Sequence, residues 1–446
     1  MRFDLSLQNR AGYRGSSLEF LTKRNLSPGD MLSIRKGGIE YVGSLLPRYE
    51  HADENYITIK LLNGYNIGVK VSNIESVSRL SDGTKPLFRR PTLPRLDSSL
   101  PRIVVMGTGG TIASRIDYKT GAVHPAFSTE DIYAVIPEIS RYAQIDTVAV
   151  LNDYSENIAT REWRIIAEAI ADKISGGADG IVVSHGTDTM AYTAAALSFA
   201  LIGSPVPIIL VGSQRSTDRP SSDAALNMIA AVLVASRPEF SGVYLAMHSS
   251  SNDDSVSIHL GTKVRKNHTS RRDAFESINI PPVATVKGER IQRLGLPKEG
   301  KASRFALRPG FEEKVALLKF HPGFDPDLID YLRTRGYKGL VLEGTGLGHV
   351  SAKCYEPIRR AVQSGILVGM TSQCIWGRVR MTVYSTGRDL MNLGVIPLDD
   401  MLPETAQVKM MWAIKNSHDF EDARNTMIVN IAGELVERSP VDRRQS

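Results

Sequence analysis

Two patterns of apolar and polar positions divide the chain. Up to about residue 85, apolar positions alternate with polar ones in short runs: MLSIR at 31–35, IEYVGSL at 39–45, YITIKL at 56–61 and IGVKV at 67–71. A period of two puts alternate side chains on opposite faces of a strand. Gly37 with Gly38, and Asn63 with Gly64, stand between runs and mark tight hairpin turns. Four short strands joined in this way predict a small all-β barrel of SH3-like or Sm-like type over residues 1–85. Residues 82–101, SDGTKPLFRRPTLPRLDSSL, carry prolines and basic residues with no period. The stretch 86–101 therefore reads as a linker.

From Arg102 the pattern changes. Continuous apolar runs at 103–106, 145–151, 180–184, 206–212 and 242–248 alternate with helical stretches at 161–175 and 189–201. Strands that are apolar throughout are covered on both faces, so this alternation predicts an α/β domain with a largely parallel sheet over 102–285. Residues 286–310 are rich in glycine, proline and charge, and 286–312 reads as a second linker. Strands at 314–320, 339–343 and 366–371 then alternate with helices at 326–335 and 353–364, and a further helix covers 403–415. They predict a second, smaller α/β domain with a polar tail over 313–446. Ligands of open parallel sheets sit beyond the carboxyl ends of the strands, so motifs that follow strand ends matter most.

Composition narrows the picture further. The 446 residues are 42% hydrophobic and 23% charged, as in ordinary globular chains with two or three cores. No apolar run reaches the roughly eighteen residues of a membrane helix. The opening MRFDLSLQNRAG has no apolar stretch of a secretory signal, and a cytoplasmic location is expected. The two cysteines, Cys354 and Cys374, lack a CxxC spacing, which argues against a disulfide scaffold or a cysteine-bound metal. A net charge of +6 gives mild support to a polyanionic partner. The β domain lacks the aromatic-plus-basic cluster of an RNA platform.

Four motifs carry candidate chemistry. The first is VVMGTGGTIAS at 104–114. A dinucleotide loop would need a third glycine where Ile112 stands, and a phosphate-binding Walker loop would need a lysine that is absent. The glycines therefore read as a turn that presents Thr111, an alcohol beside free backbone N–H groups, for attack on a polarised carbonyl. The second motif, SHGTDTM at 184–190, ends a strand and opens a helix. It sets Thr187 beside Asp188, either as a hydroxyl–carboxylate pair or as helix caps. His185, in so tight a turn, is more often a structural hydrogen-bonding group than a base. The third, KVRKNHTSRRDAF at 263–275, is a charge run that would ordinarily be a solvated face. At a strand end, a partly desolvated lysine from it is able to take a proton from a threonine. The fourth, NDYSEN at 152–157, is a polar loop or a pocket for the α-amino and α-carboxylate groups of an amino acid.

Together these motifs resemble the L-asparaginase family over about residues 102–435: TGGTIA early in the α/β domain, HGTDT on a later turn, and a lysine beyond. The resemblance implies two asparaginase-type α/β domains with parallel sheets and hydrolysis of the side-chain amide of asparagine or glutamine. It implies Thr111 as the nucleophile, Thr187 as the second catalytic threonine and Asp188 as its carboxylate neighbour. Lys266 completes the set, since it stands nine residues before Phe275, the spacing of the family. Ser155 matches the substrate-binding serine, Glu156 stands where many members carry glutamine, and Tyr118 corresponds to the flexible-loop tyrosine within a divergent IDYKTGAV. No metal site is implied.

The extra β domain and the run KNHTSRRDAFESIN resemble the asparaginase-like D-subunit family of archaeal glutamyl-tRNA(Gln) amidotransferases. That resemblance implies a glutaminase half-reaction with glutamine as substrate and no cofactor in this subunit. A partner E subunit would bind Glu-tRNA(Gln), activate the glutamate with ATP and Mg²⁺, and receive the ammonia. A homodimer of this chain would form the core of an α2β2 complex. Two other readings are a free-standing L-asparaginase or glutaminase with an accessory β domain, and a non-catalytic scaffold. The presence of Thr111, Thr187, Asp188 and Lys266 together argues against the scaffold.

Overall fold

The computed structural model describes residues 12–48, 53–61, 66–81, 98–109, 114–116, 123–125, 132, 136–215, 222–295 and 304–438. The chain forms two compact units. The first holds helix α1 (Gly15–Lys23) and strands β1 (Met31–Lys36), β2 (Ile39–Leu45), β3 (Tyr56–Leu61), β4 (Asn66–Lys70) and β5 (Ser76–Ser81). The strands make one antiparallel sheet in the order β4-β3-β2-β1-β5. The alternation read from the sequence decides which side chains turn inward. Leu32 and Ile34 of β1 and Ile57 and Ile59 of β3 are buried with Phe20 and Leu21 of α1. Neither α1 nor β5 is among the expected elements. GSSLEFLTK is short and lacks a side-chain cap, and SVSRLS is almost wholly exposed, so neither carries a clear period.

Strand β6 (Arg102–Gly107) opens the second unit. The hairpin that follows it in sequence, β7 (Ser114–Ile116) and β8 (Val123–Pro125), groups with the first unit. The second unit continues with β9 (Gln144–Ala149), α2 (Thr160–Ser175), β10 (Gly180–Ser184), α3 (Met190–Ala200), β11 (Leu201–Ile202), β12 (Pro207–Val211) and α4 (Ala224–Ala235). After these come β13 (Gly242–His248), β14 (Val256–Leu260), β15 (Val264–Lys266), β16 (Phe275–Ser277), β17 (Ala284–Lys287) and β18 (Arg290–Arg293). Eight strands share a sheet ordered β18-β17-β14-β13-β12-β10-β6-β9. Its five strands from β13 to β9 are parallel, as the apolar runs predict. Strands β14, β17 and β18 extend it with antiparallel pairs. The break read from residue 286 thus begins inside the outermost hairpin of the sheet.

The remainder contributes β19 (Ala306–Leu307), which pairs with β11, and then β20 (Val315–Lys319), α5 (Asp327–Thr334), β21 (Gly339–Gly344), α6 (Tyr355–Gln363) and β22 (Leu367–Ser372). It ends with α7 (Ser385–Asn392), β23 (Ile396–Pro397), α8 (Pro403–Asn416) and α9 (Phe420–Ile428). Strands β20 to β23 form a parallel four-stranded sheet. Helix α8 packs on this sheet and on α3, where Trp412 stacks on Phe199 with ring centroids 5.8 Å apart. One apolar core therefore runs through both α/β halves, each large apolar side chain in it contributing about 1.5–3 kcal/mol. Among the described residues no helix is long and apolar enough to cross a membrane.

Strand order fixes where a ligand can sit. From β6 the chain crosses to β9 on one side, while β10 takes the other side and leads on to β12. Connections that leave two adjacent parallel strands in opposite directions open a crevice beyond their carboxyl ends. That crevice lies beyond Gly107 of β6 and Ser184 of β10, the two residues from which the glycine turn and the SHGTDT turn depart.

Candidate active site

The two turns are tied together where they begin. Thr108 donates its backbone N–H and its hydroxyl to the carbonyl of Ser184, at 3.1 and 2.9 Å. Gly109 has φ +118°, and a Cβ there would lie 2.0 Å from the backbone oxygen of Asp153. Only glycine fits both the angle and the gap, so the chain leaving β6 is pressed against the loop that follows β9. Thr111 comes two residues later. Thr111 and Tyr118 both lie outside the described residues.

The loop after β9 supplies Ser155 and Glu156. Ser155 is buried, and its carbonyl accepts the hydroxyl of Thr189 at 2.5 Å, which joins this loop to the SHGTDT turn. Glu156 is exposed on the same short turn. Around the SHGTDT turn, His185 is buried and both its ring nitrogens are committed. Its Nδ1 is 2.7 Å from the carbonyl of Gly186, and its Nε2 is 2.9 Å from the hydroxyl of Thr193. Trp163 donates to that same hydroxyl at 3.1 Å. Burial pulls the His185 pKa down to about 4, so the ring is neutral near pH 7. Nδ1–H then donates to Gly186, and Nε2 accepts from Thr193. His185 holds the turn, as its setting in the sequence suggested, and keeps no nitrogen for a substrate.

Thr187 and Asp188 lie between β10 and α3, and Lys266 comes to them from β15. The Lys266 Nζ donates to Thr187 Oγ1 at 2.9 Å and to Asp188 Oδ1 at 2.7 Å. The lysine side chain is 13% exposed and the aspartate 71% exposed. The amine is thus largely shielded, while the carboxylate faces solvent. Lys266 pairs across the β15–β16 hairpin with Phe275, so the spacing between them is set by the hairpin loop, residues 267–274. The neighbours Thr187 and Asp188 and the lysine 78 residues further on, Lys266, meet at the crevice. Such a set can hold a hydroxyl, bias it toward its anionic form and pass a proton.

Lys263, the other lysine of the run, goes elsewhere. It is fully buried, and its Nζ donates to Asp400 Oδ2 at 2.6 Å and to the Asp400 carbonyl at 3.0 Å. Burial lowers its pKa, and the carboxylate beside it opposes that. Asn279, just past β16, donates to the carbonyl of Gly377 at 2.9 Å. Both ends of the β15–β16 hairpin are therefore fastened to the C-terminal half. No local pattern in the sequence marks Asp400 or Asn279, whose partners Lys263 and Gly377 lie 137 and 98 residues away.

The chain is similar to known proteins over most of its length. Residues 102–296 match the family described as Asparaginase, N-terminal, and residues 314–427 match the Glutaminase/Asparaginase C-terminal domain. Residues 26–80 match the GatD N-terminal domain. Over 425 residues the chain is 45% identical to the D subunit of the glutamyl-tRNA(Gln) amidotransferase of Sulfolobus acidocaldarius, covering 95% of each chain. The chain belongs to the D-subunit family of glutamyl-tRNA(Gln) amidotransferases. The Methanopyrus kandleri member of that family is 47% identical, with 95% of this chain and 94% of the relative covered. Among solved structures, the thermostable L-asparaginase from Thermococcus kodakarensis is 35% identical, with a TM-score of 0.69. The match covers 76% of this chain and 100% of the asparaginase. The asparaginase-type α/β fold preceded by an antiparallel β domain is thus the fold of this family member.

Proposed function

We propose that this chain is the glutaminase subunit of a tRNA-dependent amidotransferase. It hydrolyses the side-chain amide of glutamine and supplies ammonia to an E-type partner, which converts Glu-tRNA(Gln) to Gln-tRNA(Gln). The observation that carries this reading is the double contact of Lys266 with Thr187 and Asp188, at 2.9 and 2.7 Å, beside the turn that leads to Thr111. The D-subunit relatives, alike over nearly the whole length including the β domain, support the destination of the ammonia.

In this reading Thr111 supplies the attacking oxygen. Its bond to the carboxamide carbon forms, the C–N bond breaks, and the hydroxyl proton departs on the nitrogen as ammonia. Water then takes the acyl group and restores the alcohol, leaving glutamate. Thr187 passes the proton, and the positive charge of Lys266 favours the anionic form of the threonine oxygen. Asp188 holds the amine in place. Ser155 and Glu156 contact the α-substituents of the substrate, and Tyr118 is a further substrate-binding residue. No metal or cofactor is needed in this subunit; ATP and Mg²⁺ act in the partner. A homodimer of this chain forms the core of an α2β2 complex in the cytoplasm.

The test is ammonia release from glutamine and from asparagine, with and without the co-purified partner and Glu-tRNA(Gln). Release from glutamine that depends strongly on partner and tRNA supports the reading. Equal release from asparagine by the chain alone would make it a free-standing asparaginase.

A further inference from the structure

Lys266 ends its strand with nothing behind it but an eight-residue loop, 267–274, closed by the N–H of Asn267 on the carbonyl of Ala274 at 2.7 Å. A lysine has four rotatable bonds, and its amine drifts unless the backbone beneath it is held. The loop is held by Arg272. Its guanidinium, 14% exposed, donates to Asp253 Oδ1 and to the carbonyl of Ser251, both in the turn between β13 and β14. Asp253 Oδ1 also lies 3.3 Å from Nε2 of His248, the last residue of β13. The fully buried His248 reaches Asn227 Oδ1 on α4 with Nδ1 at 2.6 Å. The amide nitrogen of Asn227 is committed to the carbonyl of Gly212 at 3.0 Å and to Asp223 Oδ2 at 3.1 Å. Asn227 therefore accepts from His248 Nδ1–H, and the link from Nε2 to the Asp253 carboxylate is made by the imidazolium form, which donates from both ring nitrogens. Gly212 in turn is the floor under Thr187: a Cβ there would be 2.8 Å from Thr187 Cγ2.

The chain Arg272–Asp253–His248–Asn227–Gly212 thus starts on the loop that carries Lys266 and ends under Thr187. Its two ends lie beside the two partners of one hydrogen bond, that of Lys266 to Thr187, and none of its members donates or accepts in that bond. We propose that Arg272, His248 and Asn227 are positioning residues that set the Lys266 amine against the Thr187 hydroxyl. This rests on the glutaminase reading above. Networks of this kind matter because a misplacement of about 1 Å can cost about 100-fold in rate.

The experiment compares Arg272→Ala, Arg272→Lys and His248→Gln in the full chain with its co-purified partner and Glu-tRNA(Gln), reading kcat and KM for glutamine hydrolysis. Arg272→Ala should lower kcat about 10-fold or more while KM stays within about 2-fold. Arg272→Lys, which keeps a cation toward Asp253, should recover part of kcat. The double variant Arg272→Ala with His248→Gln should be no slower than the worse single one, because both break the same chain. A second readout needs no turnover. An amine-acylating N-hydroxysuccinimide ester, with labelling mapped by mass spectrometry, should modify Lys266 about 3-fold more in Arg272→Ala, while buried Lys263 stays unmodified. Wild-type kcat and labelling in Arg272→Ala would overturn the proposal. So would a rise at both lysines, which would mean that Arg272 acts on the whole fold. Lys266→Ala, run in parallel, reports on the reading itself. If it hydrolyses glutamine at the wild-type rate, the glutaminase reading falls, while the labelling still decides whether Arg272 holds Lys266.

Discussion

Replacing Lys263 by methionine removes a charge from a place where charge is expensive to leave unpaired. The side chains of Lys263 and Asp400 are both 0% exposed, with the ammonium 2.6 Å from the carboxylate. Methionine keeps most of the lysine volume, so the loss is electrostatic and no cavity opens. The carboxylate is left with the N–H of Val436 on Oδ1, at 3.0 Å, and without the lysine cation. Breaking a buried pair from one side costs about 3–5 kcal/mol, a large share of the roughly 5–15 kcal/mol by which a folded domain is stable. Adding Asp400→Asn removes the stranded charge and keeps an acceptor for Val436, so the double variant should regain about 2 kcal/mol over Lys263→Met alone. Urea unfolding with an unchanged slope measures both quantities. A loss below about 1 kcal/mol for the single variant, or a double variant as unstable as the sum of the singles, would refute the reasoning. Because Lys263 directly precedes β15, activity should fall along with stability, which separates it from Lys266.

Other outcomes follow from the same geometry. Lys266→Ala should leave the unfolding midpoint nearly unchanged and lower glutamine hydrolysis about 100-fold or more; a stability loss without a rate loss would reverse the roles given to the two lysines. Gly109→Ala, forced to φ +118° with its Cβ 2.0 Å from the Asp153 oxygen, should cost about 2–4 kcal/mol and lower Tm, and an unchanged Tm would contradict the close approach. Burial depresses the pKa of His185 to about 4 and of His259 to about 3. The unfolded chain therefore binds protons below pH 6.5 that the folded one refuses, and stability present above pH 6.5 is lost as pH falls toward those values. At pH 5 each histidine accounts for a loss of about 2 kcal/mol. Unfolding free energies at pH 7 and pH 5 test this; His259→Asn should flatten the slope, and an unaltered slope would exclude His259 as a source.

The parts of the fold legible in the sequence are those whose pattern is local and repeated. Strands β6, β10, β12 and β13 read as unbroken apolar runs because helices cover both faces, and β1 to β3 read as alternation because one face is wet. The outer strands β17 and β18 carry charge and are joined at Gly288, so their sequence resembles a linker. They become strands through pairing, β17 with β14 and β18 with β17. The candidate site shows the same division. Thr187 with Asp188 is visible as a turn between strand and helix. The run 263–275, by contrast, looks like one solvated face, yet its cations go to different partners. Lys263 goes to Asp400, Lys266 to Thr187 and Arg272 to Asp253. No spacing within the run encodes those partners. Choosing Lys266 from the sequence needed the family resemblance, and the physical cause of the spacing, a cross-strand pair with Phe275, emerged only with the hairpin.

Transfer of ammonia from this site to a second active site is followed by supplying glutamine labelled with ¹⁵N in the side-chain amide to the complex of this chain with its partner, ATP and Glu-tRNA(Gln). With the wild-type chain, ¹⁵N should appear in the side-chain amide of the Gln-tRNA(Gln) formed. With Thr111→Ala that label should fall at least about 100-fold, with conversion restored by free ammonium. Undiminished labelling with Thr111→Ala, or ¹⁵N-ammonia released only to solvent by the wild type, would contradict this transfer.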